Sequence, residues 1–196
     1  MILIYGSLQG GYKMVIAIVV IVVVVLIILW AISTYNSLIK LRNKVEASWA
    51  QVDVVLKRRF DLIPNLVSTV KGYAKHESET LTSVMQARNA YANASTVEDK
   101  IESSNMLSNT LGHLFAVSEA YPDLKANTNF LDLQKQLKDT EDKIQYARQF
   151  YNDDVKAYKN KCEMFPSSII ANMKHFESKP FFKTEEASRE APKVQF

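Results

Sequence analysis

The feature that most constrains this chain is an apolar run of 19 residues, Met14–Ile32, which contains no charged and no strongly polar side chain. A helix of that length spans about 28 Å at about 1.5 Å per residue, close to the roughly 30 Å hydrocarbon core of a bilayer. Valine and isoleucine weaken a helix in water, but in lipid a helix is needed because backbone groups must be satisfied internally. The run predicts one transmembrane helix, with lipid contact along it at Met14, Val15, Ile21, Leu26, Trp30 and Ile32.

Two other interpretations of this run remain open. A cleaved signal peptide has an apolar region of roughly 7–15 residues, shorter than this one. A buried core helix also rarely needs so long an apolar run. Residues 1–13 form a short N-terminal segment with turn-like glycines and no assigned role, and Met14 is an alternative start of translation.

Flanking charge predicts the orientation of the membrane helix. Lys13 precedes the run, whereas Lys40, Arg42 and Lys44 follow it. Because loops rich in Lys and Arg stay in the cytoplasm, we expect a single-pass protein of the cell membrane. Its N-terminus would lie outside and its C-terminal domain in the cytoplasm.

Helical periodicity continues beyond the membrane helix. Apolar residues recur at steps of three and four, which is the spacing of one helical face, at Leu38, Leu41, Val45, Trp49, Val52, Leu56 and Phe60. Pro64 is the first residue that disfavours a helix. It predicts a kink, or a short turn in which Asp61 caps a second helix.

Three further amphipathic stretches follow. The second helix is expected from Leu66 to about Ala94, and Ser95 with Glu98 predicts a capping box that starts the third. The third ends near Tyr121, before Pro122. The fourth covers about residues 129–164 and is stopped by Pro166.

These stretches predict an all-α fold: a single N-terminal transmembrane helix followed by an antiparallel four-helix bundle. No segment shows sustained alternation of the strand kind. The predicted bundle covers residues 33–165, and the tail, residues 166–196, is expected to pack on it. The apolar residues of the tail, which include Phe196, also leave open contact with the membrane surface or a partner.

Several sequence runs resemble the LemA family. The most specific is DLIPNLV at residues 61–67, and WAQVDV at 49–54, YPDLKAN at 121–127 and EAPKV at 190–194 continue it. The resemblance covers roughly Trp30 to Phe196. It implies a bacterial membrane protein with an N-terminal anchor, a short exterior N-terminus and an antiparallel helical bundle. It brings no established enzymatic activity and no site residues, and residues 1–13 depart from the short start usual in that family.

Catalytic and metal-binding patterns are not found. Di-iron bundles use Glu-x-x-His pairs, but no Glu stands three residues before His76, His113 or His175. Cys162 lies on an apolar stripe and is predicted to be a small core residue. The sequence therefore predicts no catalytic residue, no metal site, no cofactor and no enzymatic activity.

One group of charges lies beside the apolar stripes. Glu141 and Arg148 are seven residues apart on the fourth helix, and Arg88 lies between Met85 and Ala92. Our hypothesis is that Arg88, Glu141 and Arg148 form a buried polar network that fixes the register of the bundle, and the alternative is that they reach the surface. The basic cluster of Lys57, Arg58 and Arg59 is interpreted as solvated, and the alternative is a patch that faces a partner.

The functional hypothesis is a structural or protein-interaction module. The expected partners are the lipid bilayer and other membrane or cytoplasmic proteins, with homo-oligomerisation left open. A net charge of +3 argues against nucleic acid as a partner. The alternatives are a membrane-tethered enzyme or metal-binding bundle, and a lipid-interacting or membrane-organising protein.

Overall fold

The computed structural model describes the backbone of residues 2–182 and the side chains of residues 12–182. Its helices are α1 (Ile2–Tyr73), α2 (Ser78–Asn93), α3 (Val97–Ser118), α4 (Pro122–Lys125), α5 (Thr128–Glu163) and α6 (Ser167–Met173). Residues 2–182 contain no strand, so the predicted all-α class is confirmed. Residues 183–196, including Phe196 and the EAPKV run, lie outside the described part.

Helix α1 contains the apolar run. Its most apolar window of 18 residues has a mean hydropathy of 3.7, and none of that window is buried. A core helix of a soluble protein would be mostly buried, so this interpretation does not fit. By length and composition α1 can cross a membrane, which indicates a membrane anchor. The helix begins at Ile2, so the glycines of residues 1–13 lie in helical backbone and not in turns.

Pro64 does not end α1, which continues to Tyr73. The predicted turn with Asp61 as a cap is therefore wrong, whereas a kink stays a prediction. Because Pro64 has no N–H, the carbonyl of Phe60 lacks its usual helical donor. Arg88 compensates: its Nε lies 3.4 Å from the Phe60 oxygen, and its guanidinium carbon lies 3.8 Å from the centre of the Phe60 ring.

The break after α1 comes ten residues later than Pro64. The chain turns at residues 74–77, where the Glu77 N–H bonds the Ala74 carbonyl at 3.2 Å. The single second helix expected from Leu66 to Ala94 is therefore wrong, because its first part belongs to α1. Gly72 is the last weak helix former before this break.

The capping box at the start of α3 is shifted by one residue. Thr96 is the N-cap, and its hydroxyl accepts the Asp99 N–H at 3.0 Å, while Asp99 accepts the Thr96 N–H at 3.3 Å. The prediction of Ser95 with Glu98 is wrong in position, because both pairs fit the same spacing. The connection expected after the third helix contains the one-turn helix α4.

The chain divides into two compact units. Within the described residues, the first comprises residues 2–44 and 157–178, and the second comprises residues 45–156 and 179–182. The core of the second unit takes residues from α1, α2, α3, α4 and α5 and from the turn after α1: Ile63, Leu66, Val70, Ala74, Leu81, Val84, Ala87, Leu107, Leu111, Leu114, Leu124, Phe130 and Leu137. Helices α1, α2, α3 and α5 therefore each bury an apolar face in one core, as an amphipathic helix must.

The first unit has a smaller core between α1 and α6. Leu38, Ile170 and Ala171 are buried there, and Ala31, Cys162 and Phe176 are partly buried against them. The predicted tail thus includes a short helix that packs on α1 within this unit.

Helix α6 ends in a Schellman motif. The Phe176 N–H bonds the Ala171 carbonyl at 3.0 Å and the His175 N–H bonds the Asn172 carbonyl at 3.3 Å, while His175 has φ 52°. This left-handed residue satisfies the last carbonyls of the helix. It returns the chain so that Phe176 meets Tyr35, with ring centres 5.9 Å apart.

Position 175 should tolerate glycine and reject valine. We expect His175→Val to lower the free energy of unfolding by about 1–2 kcal/mol, because a β-branched residue is strained in the left-handed region. His175→Gly should change it by less than about 1 kcal/mol, because relief of strain opposes a more flexible unfolded chain. Urea unfolding of the full chain in detergent measures both, and equal losses would contradict this prediction.

Candidate functional site

A buried arginine lies at the centre of the second unit. Arg59 is 1% exposed, although the residues beside it in the sequence, Lys57 and Arg58, are exposed. The interpretation of all three as a solvated cluster is therefore wrong for Arg59. Between residues 52 and 70 of α1 the buried positions are Val52, Leu56, Arg59, Ile63, Leu66 and Val70. Their steps of 4, 3, 4, 3 and 4 place Arg59 on the core face.

The guanidinium of Arg59 connects α1 with α3 and α5. Its Nη1 donates to Ser108 Oγ at 2.7 Å and to Glu141 Oε2 at 2.8 Å. Its Nη2 donates to the carbonyl oxygen of Ser104 at 2.9 Å and to Ser104 Oγ at 2.7 Å. Arg148 Nη2 donates to the same hydroxyl at 2.7 Å. We call these five residues (Arg59, Ser104, Ser108, Glu141 and Arg148) the Arg59 cluster.

Burial and pairing act on Arg59 in opposite directions. Desolvation lowers the pKa of the guanidinium below its ordinary value, and the nearby Glu141 carboxylate opposes that change. An arginine remains charged in proteins, so the cluster holds a true ion pair. Glu141 is 32% exposed, which means that water reaches one partner and not the other. The Arg59 Nε is buried and has no hydrogen-bond partner among the described residues.

The predicted network residues are divided between two places. Glu141 and Arg148 both belong to the Arg59 cluster, where Glu141 pairs with Arg59. Arg88 lies apart, against Phe60, where it contacts the ring face and the main-chain carbonyl. Sequence reasoning missed Arg59, Ser104 and Ser108. The local signal for Arg59 is its step of three from Leu56 and of four to Ile63, but Phe60, four residues after Leu56, fits the same stripe.

A second polar contact joins α1, α2 and α3. Lys100 Nζ lies 2.7 Å from Asp53 Oδ1, and the Tyr91 hydroxyl donates to the same oxygen at 3.1 Å. Burial, and then the Asp53 carboxylate, raise the pKa of Tyr91 well above its ordinary value. The tyrosine therefore remains a neutral donor at physiological pH.

A pocket of about 370 Å³ opens beside the Arg59 cluster. Arg59 of α1 lines this pocket together with residues of α3 and α5: Ser108, Leu111, Gly112, Phe115, Gln134, Leu137, Lys138, Glu141 and Asp142. The charge of Arg59 is already balanced by Glu141. An anion in the pocket would compete with that carboxylate for the guanidinium.

An aromatic cluster encloses the last described residues. The Phe182 ring is 6.0 Å from that of Trp49 and 5.7 Å from that of Tyr151, centre to centre, and the guanidinium carbon of Arg148 lies 4.7 Å from its centre. Asn152 bonds the backbone N–H and carbonyl of Phe182, each at 3.0 Å. Part of the predicted tail is thus held against α1 and α5 within the second unit.

The buried phenol of Tyr151 makes stability sensitive to alkaline pH. Burial raises its pKa to about 12, and its hydroxyl donates to the Pro180 carbonyl at 2.9 Å. Above about pH 10 the unfolded chain loses the phenol proton while the folded chain keeps it, so ionisation favours unfolding. The stabilising contribution is complete below pH 10 and is lost as pH rises towards 12.

We therefore expect the free energy of unfolding to fall between pH 10 and 12, and Tyr151→Phe to reduce that fall by about 1–2 kcal/mol. Urea unfolding across this range, with absorbance at 295 nm to follow tyrosine ionisation, measures the effect. Tyr146→Phe is the control, because Tyr146 is 67% exposed. Identical pH profiles for both variants would contradict a buried, protonated Tyr151.

The surroundings of Cys162 do not activate its thiol. Burial raises the pKa of the Cys162 thiol, although a hydrogen bond with Tyr158 opposes this, so the reactive thiolate is disfavoured. Within residues 12–182, no group of three or more His, Cys, Asp or Glu side chains could hold a metal ion.

The predicted lipid-facing residues all lie on the exposed part of α1. Their exposed fractions range from 38% at Trp30 to 64% at Met14, and the others lie between: Val15, Ile21, Leu26 and Ile32. Exposed apolar side chains at these six positions suit contact with lipid.

Comparison with known proteins gives one family. A family model described as the LemA family matches residues 48–196. Protein LemA of Metamycoplasma hominis is 24% identical over 155 residues, which cover 79% of this chain and 71% of that protein. Magnetosome protein MamQ 2 of Paramagnetospirillum magneticum and magnetosome protein MamQ of Magnetospirillum gryphiswaldense are 22% and 21% identical, and the match covers 78% of this chain and 66% of each of them.

Proposed function

Because this chain belongs to the LemA family, we propose that it is a membrane-anchored helical module that binds other proteins and catalyses no reaction of its own. In this proposal α1 holds the module at the cell membrane. The later part of α1, with α2, α3 and α5, forms an antiparallel four-helix bundle that presents its outer faces to partners. The shared core of these helices and their short connections support that arrangement.

The proposal rests on one observation: the charged groups inside the second unit bond to groups of neighbouring helices. Arg59 gives four hydrogen bonds to groups of α3 and α5, and Asp53 accepts from Lys100 and Tyr91. Catalytic acids, bases and nucleophiles need a group that can reach a substrate. Here the charged groups hold helices together, which supports a structural role.

The proposed orientation places the module in the cytoplasm. It rests on Lys40, Arg42 and Lys44 after the apolar run against Lys13 before it. Reporter fusions after residue 196 test it: a fluorescent protein that folds in the cytoplasm should be active, and alkaline phosphatase, which needs an oxidising compartment, should be inactive. The reverse pair of results would overturn the orientation.

Exposed aromatic residues suggest where partners bind. Phe150 and Tyr146 are 64% and 67% exposed and lie one turn apart on α5. Aromatic residues are enriched in protein interfaces, and tyrosine is enriched among the few residues that carry most of the binding energy. The proposed partner surface is this face of α5, and the proposed partner is a different protein of the membrane or cytoplasm.

Site-specific photocrosslinking in intact cells tests the interaction. A photoreactive amino acid at position 150 should yield a discrete adduct with another protein, and one at exposed Glu102 on α3 serves as the control. Loss of the adduct on replacing Tyr146 with serine would support this surface. An adduct of two copies of this chain would replace the proposed partner with a homo-oligomer, and equal adducts at both positions would overturn the surface.

Metal analysis of the purified full chain tests the alternative of a metal-binding bundle. We expect no stoichiometric transition metal after purification without chelator. A metal retained at one equivalent per chain, and lost in a Glu141→Gln variant, would overturn the proposal of a non-catalytic module.

A further inference from the structure

Four large apolar side chains are exposed where α5 turns into α6. Met164, Phe165, Ile169 and Met173 are 62%, 81%, 52% and 62% exposed. We call these four residues the apolar tip. Single exposed apolar residues are normal, but a group of large ones marks a contact surface.

The apolar tip belongs to the same compact unit as the apolar run of α1. Buried Ile170 and Ala171 of α6 pack with Leu38 of α1, and Ala31, inside the apolar run, is partly buried against the same cluster. Leu38 follows the end of the run by six residues, or about 9 Å along the helix. The tip is therefore attached to α1 at the boundary between the apolar run and the first polar residues.

The dimensions of a bilayer indicate how deep in the membrane this boundary lies. The headgroup regions add about 10–15 Å in total to a hydrocarbon core of roughly 30 Å. Helices that lie on a membrane bury their apolar face about 5–10 Å into the boundary between headgroups and acyl chains. An element packed on α1 between Ala31 and Leu38 therefore extends across that zone, with Leu38 at its outer edge, when the apolar run spans the hydrocarbon core.

We propose that the apolar tip inserts into the headgroup region of the same bilayer leaflet from which α1 emerges. Lipid is the occupant because the tip is continuous with the membrane-crossing part of α1, so no separate partner needs to be recruited. Lys161 and Lys174 bracket the tip in the sequence and supply positive charge for lipid phosphates. The chain thus contacts the membrane twice, through a spanning helix and through an interfacial hairpin.

Spin labels on the full chain in lipid nanodiscs test this inference. In a Cys162→Ala background, single cysteines replace Phe165 and Ile169, with Leu26 as the lipid reference and Glu102 as the aqueous reference. All four positions are exposed, so the labels need not disturb the core. Power saturation compares collisions of each label with oxygen, which concentrates in lipid, and with a water-soluble nickel complex.

We expect labels at 165 and 169 to collide more with oxygen than with nickel, as at Leu26, and the label at 102 to show the reverse. Nickel accessibility at 165 and 169 equal to that at 102, with Leu26 still in lipid, would overturn the insertion and leave the anchor intact. If the label at position 26 were accessible to nickel, α1 would not span the bilayer there, and the premise of the proposal would be wrong. Spin–spin broadening at 165 that disappears on dilution with unlabelled chain would assign the tip to a second copy and overturn the proposal.

Discussion

Glu141→Gln is expected to lower the free energy of unfolding by about 2–3 kcal/mol. The substitution keeps the size of the side chain and one acceptor oxygen, but removes the negative charge that faces Arg59 at 2.8 Å. Arg59 is 1% exposed, so its charge would remain out of water without a counterion. Leaving a buried charge unpaired costs about 3–5 kcal/mol, and the remaining amide oxygen and the two serines offset part of that.

Arg59→Met should lower the free energy of unfolding by less, about 1–2 kcal/mol, although it removes the residue with the most hydrogen bonds in the cluster. The remaining charge is then Glu141, which is 32% exposed and can be hydrated. Methionine fills much of the space of the arginine stem, and the two serine hydroxyls can bond main-chain carbonyls of their own helix, as Ser108 does at 3.2 Å.

Urea unfolding of the full chain in detergent compares these variants. The double variant Arg59→Met with Glu141→Gln should be less destabilised than the sum of the two single variants, because it removes both charges of the ion pair and leaves neither partner without the other. Lys57→Met with Asp61→Asn is the matched control, an exposed ion pair on α1 whose removal should cost less than about 1 kcal/mol. A larger loss for Arg59→Met than for Glu141→Gln would contradict the unequal exposure of the two partners.

Phe182→Ala is expected to lower the free energy of unfolding by about 3–4 kcal/mol. The ring is 5% exposed and packs against Trp49, Tyr151 and Arg148, so truncation removes buried area and leaves a cavity. The two hydrogen bonds of Asn152 to the Phe182 backbone hold the segment only while the ring is packed. We therefore also expect faster proteolysis of the chain near residue 182.

Phe181→Ala provides the matched control, because the neighbouring phenylalanine is 36% exposed. Phe181→Ala should lower the free energy of unfolding by less than about 1.5 kcal/mol, and proteolysis near residue 182 should remain slow. Limited proteolysis with mass spectrometry locates the cut, and urea unfolding gives the stability. Equal effects of the two substitutions would show that the aromatic cluster does not hold this segment.

The anchor and the amphipathic helices could be predicted because each depends on a pattern within one segment. The apolar run of α1 and the stripes of α3 and α5 follow from the spacing of apolar residues alone. The LemA resemblance at residues 61–67 and 121–127 agreed with the family match. These features can be predicted without knowing what each helix packs against.

Arg59 could not be placed from one helix alone. Phe60 and Arg59 both continue the stripe after Leu56, by steps of four and three, and apolar character favours Phe60. The choice is made by α3 and α5, which supply Ser104, Ser108 and Glu141 to satisfy a buried guanidinium. Burial of a charge depends on partners distant in sequence, which a local pattern does not contain.

Pro64 shows a similar limit for helix ends. The local rule disfavours proline inside a helix because a carbonyl loses its donor and meets the ring. In α1 the carbonyl concerned belongs to Phe60, and Arg88 of α2 approaches it. A contact from another helix thus offsets part of the local cost, and the chain turns only at residues 74–77.

The spacing of polar residues along α3 also determines how that helix can be aligned. Lys100, Ser104 and Ser108 follow one another at intervals of four, so they line the side that meets Asp53 and Arg59. A slip of α3 by one turn, about 5.4 Å, would bring Lys100 against the guanidinium. A slip the other way would put Gly112 in the place of Ser108 and remove the cation from Asp53. Misaligned states are therefore disfavoured in both directions, and the correct alignment is chosen by charge as well as by shape.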